Sequence, residues 1–202
     1  KYVFGTHAHE DHIGGMDDII NNFNIEHFYM PDAITTTKTF EDVLDALGNK
    51  GIAFETPNED DILKFGDTSI SILHVGRDKN DLNDTSIVLK LTYNDTSYLF
   101  MGDATSSVEK EILDKDLESD VLKVGHHGSQ YSSTAAFLKK VSPKYAIIEV
   151  GANNTYNHPR EVTLKKLESL GTKIYRTDLD GTIILTSDGK NITFSTEKTD
   201  TN

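Results

Sequence analysis

Short apolar runs alternate along the chain with segments of helical periodicity, and this alternation is typical of an α/β fold. β-Branched and aromatic clusters bounded by turn residues predict strands, while apolar residues recurring every three or four positions predict helices. Single strands are predicted at residues 2–6, 26–30, 121–125, 145–151, 173–176, 182–186 and 192–195, and helices at residues 16–23, 38–47, 107–113, 135–141 and 159–170.

Two longer stretches in the middle of the chain have the pattern of β-hairpins. Residues 61–75 place a Gly-Asp pair between two alternating runs, and residues 85–103 place an Asn-Asp pair in the same position.

The sequence also predicts where two of the helices end or begin. The second helix is expected to stop at Gly48, and a capping box from Ser106 to Glu109 is expected to open the third.

The composition is that of a folded, acidic protein without cysteine. The chain contains 33 acidic and 20 basic residues, giving a net charge of −13. Its 202 residues predict one domain over residues 1–202, with sheets at the centre and helices outside. An acidic surface repels a phosphate backbone at long range, so a phosphodiester substrate would need local cations such as bound metal. The absence of cysteine excludes disulfides, thiolate metal ligands and cysteine nucleophiles.

The densest chemistry lies in the stretch THAHEDHIGG, where a predicted strand turns into a helix. Side chains two positions apart point to the same side of an extended segment, so His7 and His9 can converge on one cation. Asp11 and His12 follow at the turn and can face a second cation beside the first. Imidazole and carboxylate ligands without sulfur suit zinc, with manganese or iron as alternatives. A solvated, histidine-rich loop without metal is the other interpretation.

The stretch THAHEDHIGG resembles the signature of the metallo-β-lactamase superfamily of hydrolases. Together with NDTSIVLKL, FMGDA, LKVGHHGSQYSS, PKYAIIEVGANNTYNHP and KIYRTDLDGTIILTSDG, it is similar to one subgroup, the hydrolase domain at the C-terminus of the competence protein ComEC. These motifs occur in the family's order from residue 6 to residue 189. The resemblance implies the αββα sandwich of the metallo-β-lactamase fold, two bound divalent metal ions, and a phosphodiesterase or nuclease associated with DNA uptake.

The resemblance also implies the rest of a two-metal centre. Asp103, at the end of an apolar strand, corresponds to the aspartate that bridges both metals, although an aspartate in a turn is common on its own. His126 corresponds best to the later metal ligand and His127 to a catalytic or substrate contact, although the two histidines could exchange roles. The implied metal ligands are His7, His9, Asp11, His12, Asp103 and His126.

Further side chains near these motifs are candidates for substrate binding and catalysis. Lys123 and Ser129 flank the histidine pair and are candidate substrate contacts. Pro159 suits the first turn of a helix, which predicts His158 at the N-cap, beside the positive end of the helix dipole. A histidine there can hold a phosphate oxygen, protonate a leaving group or simply cap the helix. The predicted catalytic groups are Asp11, Asp103, His127 and His158.

One ligand that the superfamily leads us to expect is missing. Many members carry another histidine between the two hairpins, often followed by Thr-Pro-Gly. Here that region offers His74, within a predicted strand, and Asn83 and Asp84, just before the next strand. Which of the three completes the first metal site is left open by the sequence.

The resemblance makes a two-metal phosphodiesterase the primary hypothesis, with single-stranded DNA as a candidate partner. A phosphorylcholine esterase-like hydrolase is an alternative, and a β-lactamase or thioester hydrolase is a weaker one because the Thr-Pro-Gly histidine motif is missing. An RNA-processing nuclease would need a large inserted domain between Asp103 and His126, for which the interval is too short. A non-catalytic binding module on the same fold is the alternative that is not an enzyme. The intact set of metal ligands argues against it.

The start of the sequence carries an expectation of its own. Its first residue is not Met, and members of the family carry a β-hairpin ahead of the histidine loop. We therefore expect the sequence to begin inside a longer protein and to lack the first N-terminal strands of the fold. No run approaches the roughly 20 apolar residues of a membrane span, and no signal peptide is visible. The absence of cysteine slightly favours an extracytoplasmic or cell-surface location over the cytoplasm.

Overall fold

Two β-sheets face each other at the centre of the molecule, and helices cover the outer face of each. This computed structural model describes residues 1–77 and 81–198. In chain order the strands are β1 (Tyr2–Phe4), β2 (His27–Tyr29), β3 (Phe54–Glu55), β4 (Ile62–Phe65), β5 (Thr68–Val75), β6 (Ile87–Tyr93), β7 (Thr96–Phe100), β8 (Val121–Lys123), β9 (Tyr145–Ile148), β10 (Lys173–Arg176), β11 (Ile183–Ser187) and β12 (Ile192–Thr196). The helices are α1 (Glu10–Ile13), α2 (Met16–Asn22), α3 (Lys38–Lys50), α4 (Ser106–Glu111), α5 (Ala135–Val141), α6 (Glu161–Ser169) and α7 (Thr177–Asp180), with 3-10 turns at Asn83–Thr85 and Gly125–Gly128.

The larger sheet combines two kinds of pairing. It has the order β10-β9-β8-β7-β6-β5-β4, whereas the smaller sheet has the order β1-β2-β3 and strands β11 and β12 pair separately. The strands from β4 to β7 are antiparallel neighbours, which confirms both predicted hairpins. From β7 to β10 the neighbours are parallel, with α4, α5 and α6 in the connections.

Three clusters of buried side chains correspond to the layers. One lies between the sheets, where Tyr29 of β2 packs with Ile72 of β5 and Leu89 of β6. A second joins the small sheet to α1, α2 and α3, and the third joins the large sheet to α4, α5 and α6. The layers therefore run helix, sheet, sheet, helix, which confirms the predicted αββα sandwich. None of the described helices is both long and apolar enough to cross a membrane.

The carboxyl ends of three parallel strands meet at one edge of the large sheet. Because β7, β8 and β9 run parallel, the loops that follow them begin side by side. The loop after β1 joins this edge because the Thr6 carbonyl accepts the N–H of Ile87 (2.8 Å) at the start of β6. Since β6 is antiparallel to β7, its start lies beside the end of β7. The topology thus gathers all four loops in one place.

The first two long helices differ in detail from the predictions. In α2, which ends at Asn22, Ile20 is buried, whereas Ile19 and Phe23 are exposed, so only part of the apolar surface of this segment packs against the core. Helix α3 runs through Gly48 instead of stopping there, because glycine is tolerated inside a helix that packs well. It ends before Gly51, whose φ of 67° gives the left-handed conformation of a glycine C-cap.

The last long helix begins later than predicted. The N-cap of α6 is Arg160, whose carbonyl accepts the N–H of Thr163 (2.9 Å), so the predicted N-cap position of His158 is wrong. His158 instead lies in the loop that precedes the helix. At the other end, Leu170 follows the last turn and is exposed rather than buried.

The predicted capping box at α4 is also wrong. The N-cap is Thr105, and Glu109 turns away from the start of its own helix. The Glu109 side chain is buried, and its carboxylate accepts the backbone N–H groups of Ser133 and Thr134 at the start of α5. Burial raises the pKa of this carboxyl group, although the same hydrogen bonds oppose the shift. Glu109 therefore fastens α4 to α5.

Replacing Glu109 with Gln should destabilise the protein, because an amide has one oxygen and cannot accept both N–H groups in the same geometry. Leaving one buried N–H unpaired costs about 1–3 kcal/mol. Urea unfolding measures the change. Glu168→Gln, at an exposed position of α6, is the matched control and should leave the midpoint unchanged. Equal midpoints for the two variants would contradict this role of Glu109.

Candidate metal centre

Five of the six side chains at this centre come from the segments after β1 and β7, and the sixth comes from the loop after β8. The turn after β7 depends on Gly102, which has a φ of 53°. A Cβ at this position would lie 2.8 Å from the Ser86 Oγ, so only glycine fits without a shift. The N–H of Asp103 then donates to that same Oγ (3.0 Å). The backbone of Asp103 is therefore fixed, and its side chain is 3% exposed.

The first group of possible ligand atoms consists of His7, His9 and Asp103. The Nε2 of His7 lies 3.0 Å from the Nδ1 of His9 and 3.9 Å from an Oδ of Asp103. His7 is fully buried, and burial lowers its pKa to about 3, with the neighbouring His12 adding to the shift. Its imidazole is therefore neutral at pH 7. The hydroxyl oxygens of Thr6 and Ser86, 3.2 and 3.4 Å from Nδ1, can accept from an N–H there and leave the Nε2 lone pair free.

The second group consists of Asp11, His12, Asp103 and His127. The Nε2 of His12 lies 3.1 Å from Asp103 Oδ1 and 3.3 Å from the Nε2 of His127. The His127 Nε2 lies 3.2 Å from Asp11 Oδ2 and 3.4 Å from Asp103 Oδ2. Asp103 thus contributes to both groups, with one carboxylate between them.

These distances and this chemistry fit bound divalent cations. Two ligand atoms held about 2.0–2.1 Å from a tetrahedral zinc ion lie about 3.4 Å apart, close to most of the separations above. In each group the ligand atoms all lie within 4.8 Å of one another. The Oδ1 of Asp103 is buried, and the Nε2 of His12 lies 3.1 Å from it. A buried carboxylate oxygen is costly unless a donor proton or a cation meets it.

The charge state of Asp103 follows from its neighbours. Burial by itself would raise the pKa of its carboxyl group. Hydrogen bonds and favourable charge interactions with His12 and His127 outweigh burial and hold the pKa well below its usual range. The reciprocal interaction with Asp103 raises the pKa of His127. Asp103 is therefore ionised at neutral pH.

The adjacent histidines after β8 take different places. Both have left-handed backbone, with φ of 50° at His126 and 52° at His127. The Nδ1–H of His127 donates to the Glu149 carbonyl (2.7 Å), which aims its Nε2 at Asp103. His126, the predicted ligand, belongs to neither group, and its ring lies 5.7 Å from that of His158. The geometry therefore favours exchanging the two roles that the sequence assigned.

The three candidates for completing the first site are also separated. Both carboxylate oxygens of Asp84 are engaged by Thr105, whose N–H and hydroxyl donate to them at 2.9 and 3.0 Å. His74 uses its Nε2 to donate to the Asp84 carbonyl (3.1 Å) and points its Nδ1 toward Glu59 (3.4 Å). Asn83 lines the cavity beside the ligand groups. Of the three, Asn83 alone faces the centre.

A cavity of about 560 Å³ opens directly over the two groups. The residues around it include His9, Asp11, Asn83, Asp103, His126, His127, Tyr156 and His158. Burial, with added repulsion from His126 and His127, lowers the pKa of His158. This histidine is therefore neutral at pH 7, and its predicted position near a bound substrate fits the cavity.

Lys123 and Ser129, the other predicted substrate contacts, lie away from this cavity. The Lys123 ammonium lies 3.4 Å from the Glu149 carboxylate. Ser129 is buried, and its Oγ accepts the N–H of Tyr131 (3.2 Å). Neither residue lines the cavity among the described residues, so their placement gives no support to a substrate contact. Tyr156, which does line it, is an exposed loop residue within the stretch PKYAIIEVGANNTYNHP that the sequence did not identify as a site residue.

The comparison with known families agrees with this architecture. Residues 1–151 match the family model of the metallo-beta-lactamase superfamily. The chain belongs to this superfamily. Two solved metallo-beta-lactamase-like structures illustrate the shared fold. YhfI from Bacillus subtilis superposes with a TM-score of 0.54 and 12% identity, covering 96% of this chain and 78% of YhfI. CmlA, a diiron beta-hydroxylase from Streptomyces venezuelae, gives a TM-score of 0.57 and 12% identity over 87% of this chain and 43% of CmlA.

Curated relatives of the chain include competence proteins. ComE operon protein 3 of Bacillus subtilis is 33% identical over 181 residues, which cover 88% of this chain and 23% of the relative. Competence protein ComA of Neisseria gonorrhoeae is 39% identical over 106 residues, covering 51% of this chain and 15% of the relative. These matches confirm the ComEC-type resemblance. The chain spans less than a quarter of the length of either relative.

Breaking the contact between Asp84 and Thr105 should loosen the turn that carries Asp103. Asp84→Ala removes two hydrogen bonds to a carboxylate, and such bonds are worth about 1.5–3 kcal/mol each, less where water replaces them. We expect a loss of about 1–3 kcal/mol in the free energy of unfolding, measured in urea. Asp114→Ala, at an exposed carboxylate, should change it little. A loss no larger than that of Asp114→Ala would show that the contact does not stabilise the turn.

Proposed function

We propose that the chain is a two-metal hydrolase that cleaves a phosphodiester. The observation that carries the proposal is the placement of one buried carboxylate, Asp103, between two separate groups of ligand atoms. Membership of the metallo-beta-lactamase superfamily supports a hydrolase, and relatives that are competence proteins favour a nucleic acid phosphodiester. The identity of the metal is part of the proposal, with zinc first and manganese or iron as alternatives.

The ligands divide between two ions. His7, His9 and Asp103 would hold the first, and Asp11, His12, His127 and Asp103 would hold the second. Two divalent cations bound in this way supply a hydroxide nucleophile near neutral pH and positive charge for the phosphoryl oxygens. The chain's own contribution is to fix these side chains before any substrate arrives.

Three described features of the protein prepare that arrangement. The neutral His7 offers a lone pair without first losing a proton. The hydrogen bond from His127 Nδ1–H to the Glu149 carbonyl fixes the tautomer and direction of this ring. Asp103, ionised and buried, supplies the negative charge that balances two cations in a site with little water.

His158 is the chain's candidate for a direct contact with the phosphate. It lies in the cavity beside His126 rather than in either ligand group. A neutral imidazole can donate a hydrogen bond from one nitrogen to a phosphoryl or leaving-group oxygen. The lowered pKa of His158 favours this hydrogen-bonding role over proton donation from an imidazolium at pH 7.

Metal content tests the first half of the proposal. We expect two divalent ions per chain by elemental analysis of the dialysed protein. Because Asp103 belongs to both groups, Asp103→Ala should lose both ions, whereas His9→Ala and His127→Ala should each lose one. His27→Ala is the matched control, since His27 pairs with Glu55 outside both groups and should keep two ions. Fewer than one ion per wild-type chain would rule out the two-metal centre.

Hydrolysis tests the second half. We expect the metal-loaded protein to cleave bis-p-nitrophenyl phosphate and single-stranded DNA, and Asp103→Asn to lose at least about 100-fold in kcat. p-Nitrophenylphosphorylcholine is assayed beside them. Cleavage of the choline ester alone would replace the phosphodiesterase with the phosphorylcholine esterase alternative. A protein that holds two metals and cleaves none of the three would be a binding module on this fold.

A further inference from the structure

Tyr156 stands at the rim of the metal-centre cavity without a packing role that explains it. Its side chain is 72% exposed, the largest exposed fraction among the large hydrophobic residues described. It lines both the cavity over the ligand groups and an adjoining one of about 430 Å³ that shares Asp11, His127 and His158 with the first. A tyrosine ring combines an apolar face with a polar hydroxyl, so at this place on the rim it can contact a ligand in the cavity.

One face of this ring is already occupied in a specific way. The Tyr156 and His158 rings are stacked, with their centroids 5.9 Å apart and their planes within 16° of parallel. That separation and angle are typical of an offset aromatic stack. Since His158 lies in the cavity, the second face of Tyr156 continues the stack outward. The outer face of Tyr156 is therefore a flat, apolar surface beside the cavity in which the proposed function places the phosphate.

The loop that carries Tyr156 is held in shape by Asn154. The Nδ2 of Asn154 donates to the carbonyls of Gly151 (3.0 Å) and His158 (2.7 Å), and its Oδ1 accepts the N–H of His158 (2.9 Å). These bonds close the loop on both sides of Tyr156. A ring fixed in advance loses little conformational entropy when a ligand stacks on it.

We infer that Tyr156 is a stacking platform for the planar base next to the scissile phosphate. Bases bind proteins in this way without sequence preference, because every base has a flat π face. A quaternary ammonium group is the other ligand that aromatic faces bind, but its sites enclose the cation in several aromatic rings. Tyr156 is the only Phe, Tyr or Trp among the described residues that line the two cavities. The inference rests on the proposed function, since it places the base beside the phosphate that the metals hold.

Binding of adenosine 5′-monophosphate and of ribose 5-phosphate to the metal-loaded protein tests this platform. The two probes share a sugar and a phosphate and differ in the base. We expect wild type to bind the nucleotide about tenfold more tightly by titration calorimetry. Tyr156→Ala should abolish the difference and Tyr156→Phe should keep it. Tyr131→Ala, which removes a 66% exposed tyrosine outside the cavities, should also keep it.

Equal affinity of wild type for the two probes would overturn the inference, as would a preference that survives in Tyr156→Ala. Phosphorylcholine is titrated as a third probe, and tighter binding than the nucleotide would assign the ring to a cation instead. The tenfold preference in a protein that cleaves no phosphodiester would support the platform while overturning the proposed hydrolysis. The reverse result, cleavage without the preference, would overturn the platform alone.

Discussion

The structure depends on placing one nearly buried carboxylate within reach of two sets of histidines. Asp103 meets this constraint because Gly102 turns the chain where a side chain would strike Ser86, and because Ser86 then accepts the Asp103 N–H. Asp84 holds the next turn through Thr105. Two acceptors, the Ser86 hydroxyl and the Asp84 carboxylate, therefore fix the backbone around Asp103, and the Asp103 carboxylate oxygens are left to the histidines and the proposed metals.

This constraint explains why the sandwich has its particular packing. Burying a carboxylate and a neutral histidine costs free energy when no cation binds them. The packing of the surrounding core must therefore offset this cost and hold the side chains in place. The apolar clusters on either side of the sheets bring the β1 loop against the end of β7 through the Thr6 to Ile87 hydrogen bond. Bound metal then adds stability that the ligand side chains alone cannot supply.

Local sequence patterns predicted most of the helices and strands and the histidine loop. These patterns, hydrophobic alternation and residue spacing, involve only residues that are close together in the sequence. The failures share a cause in tertiary contacts. Glu109 stands where a capping box needs it but bonds to a segment that follows β8, and nothing local indicates this. That His127 rather than His126 lies among the other candidate ligand atoms depends on two successive left-handed residues, a conformation that side-chain identity does not predict. The role inferred for Tyr156 depends on its stacking against the His158 ring, a contact that the sequence does not show.

The acidic surface and the metal centre make opposite demands on a phosphodiester. At a net charge of −13, the protein repels a polyanion at distances beyond the first contacts, so long-range steering cannot supply affinity. Under the proposed function, attraction comes from groups within the cavity, namely the two proposed cations, the neutral His158 and the exposed ring of Tyr156. Short-range contacts of this kind discriminate by shape as well as charge. A fixed flat surface beside the phosphate site therefore fits an acidic protein better than a basic groove would.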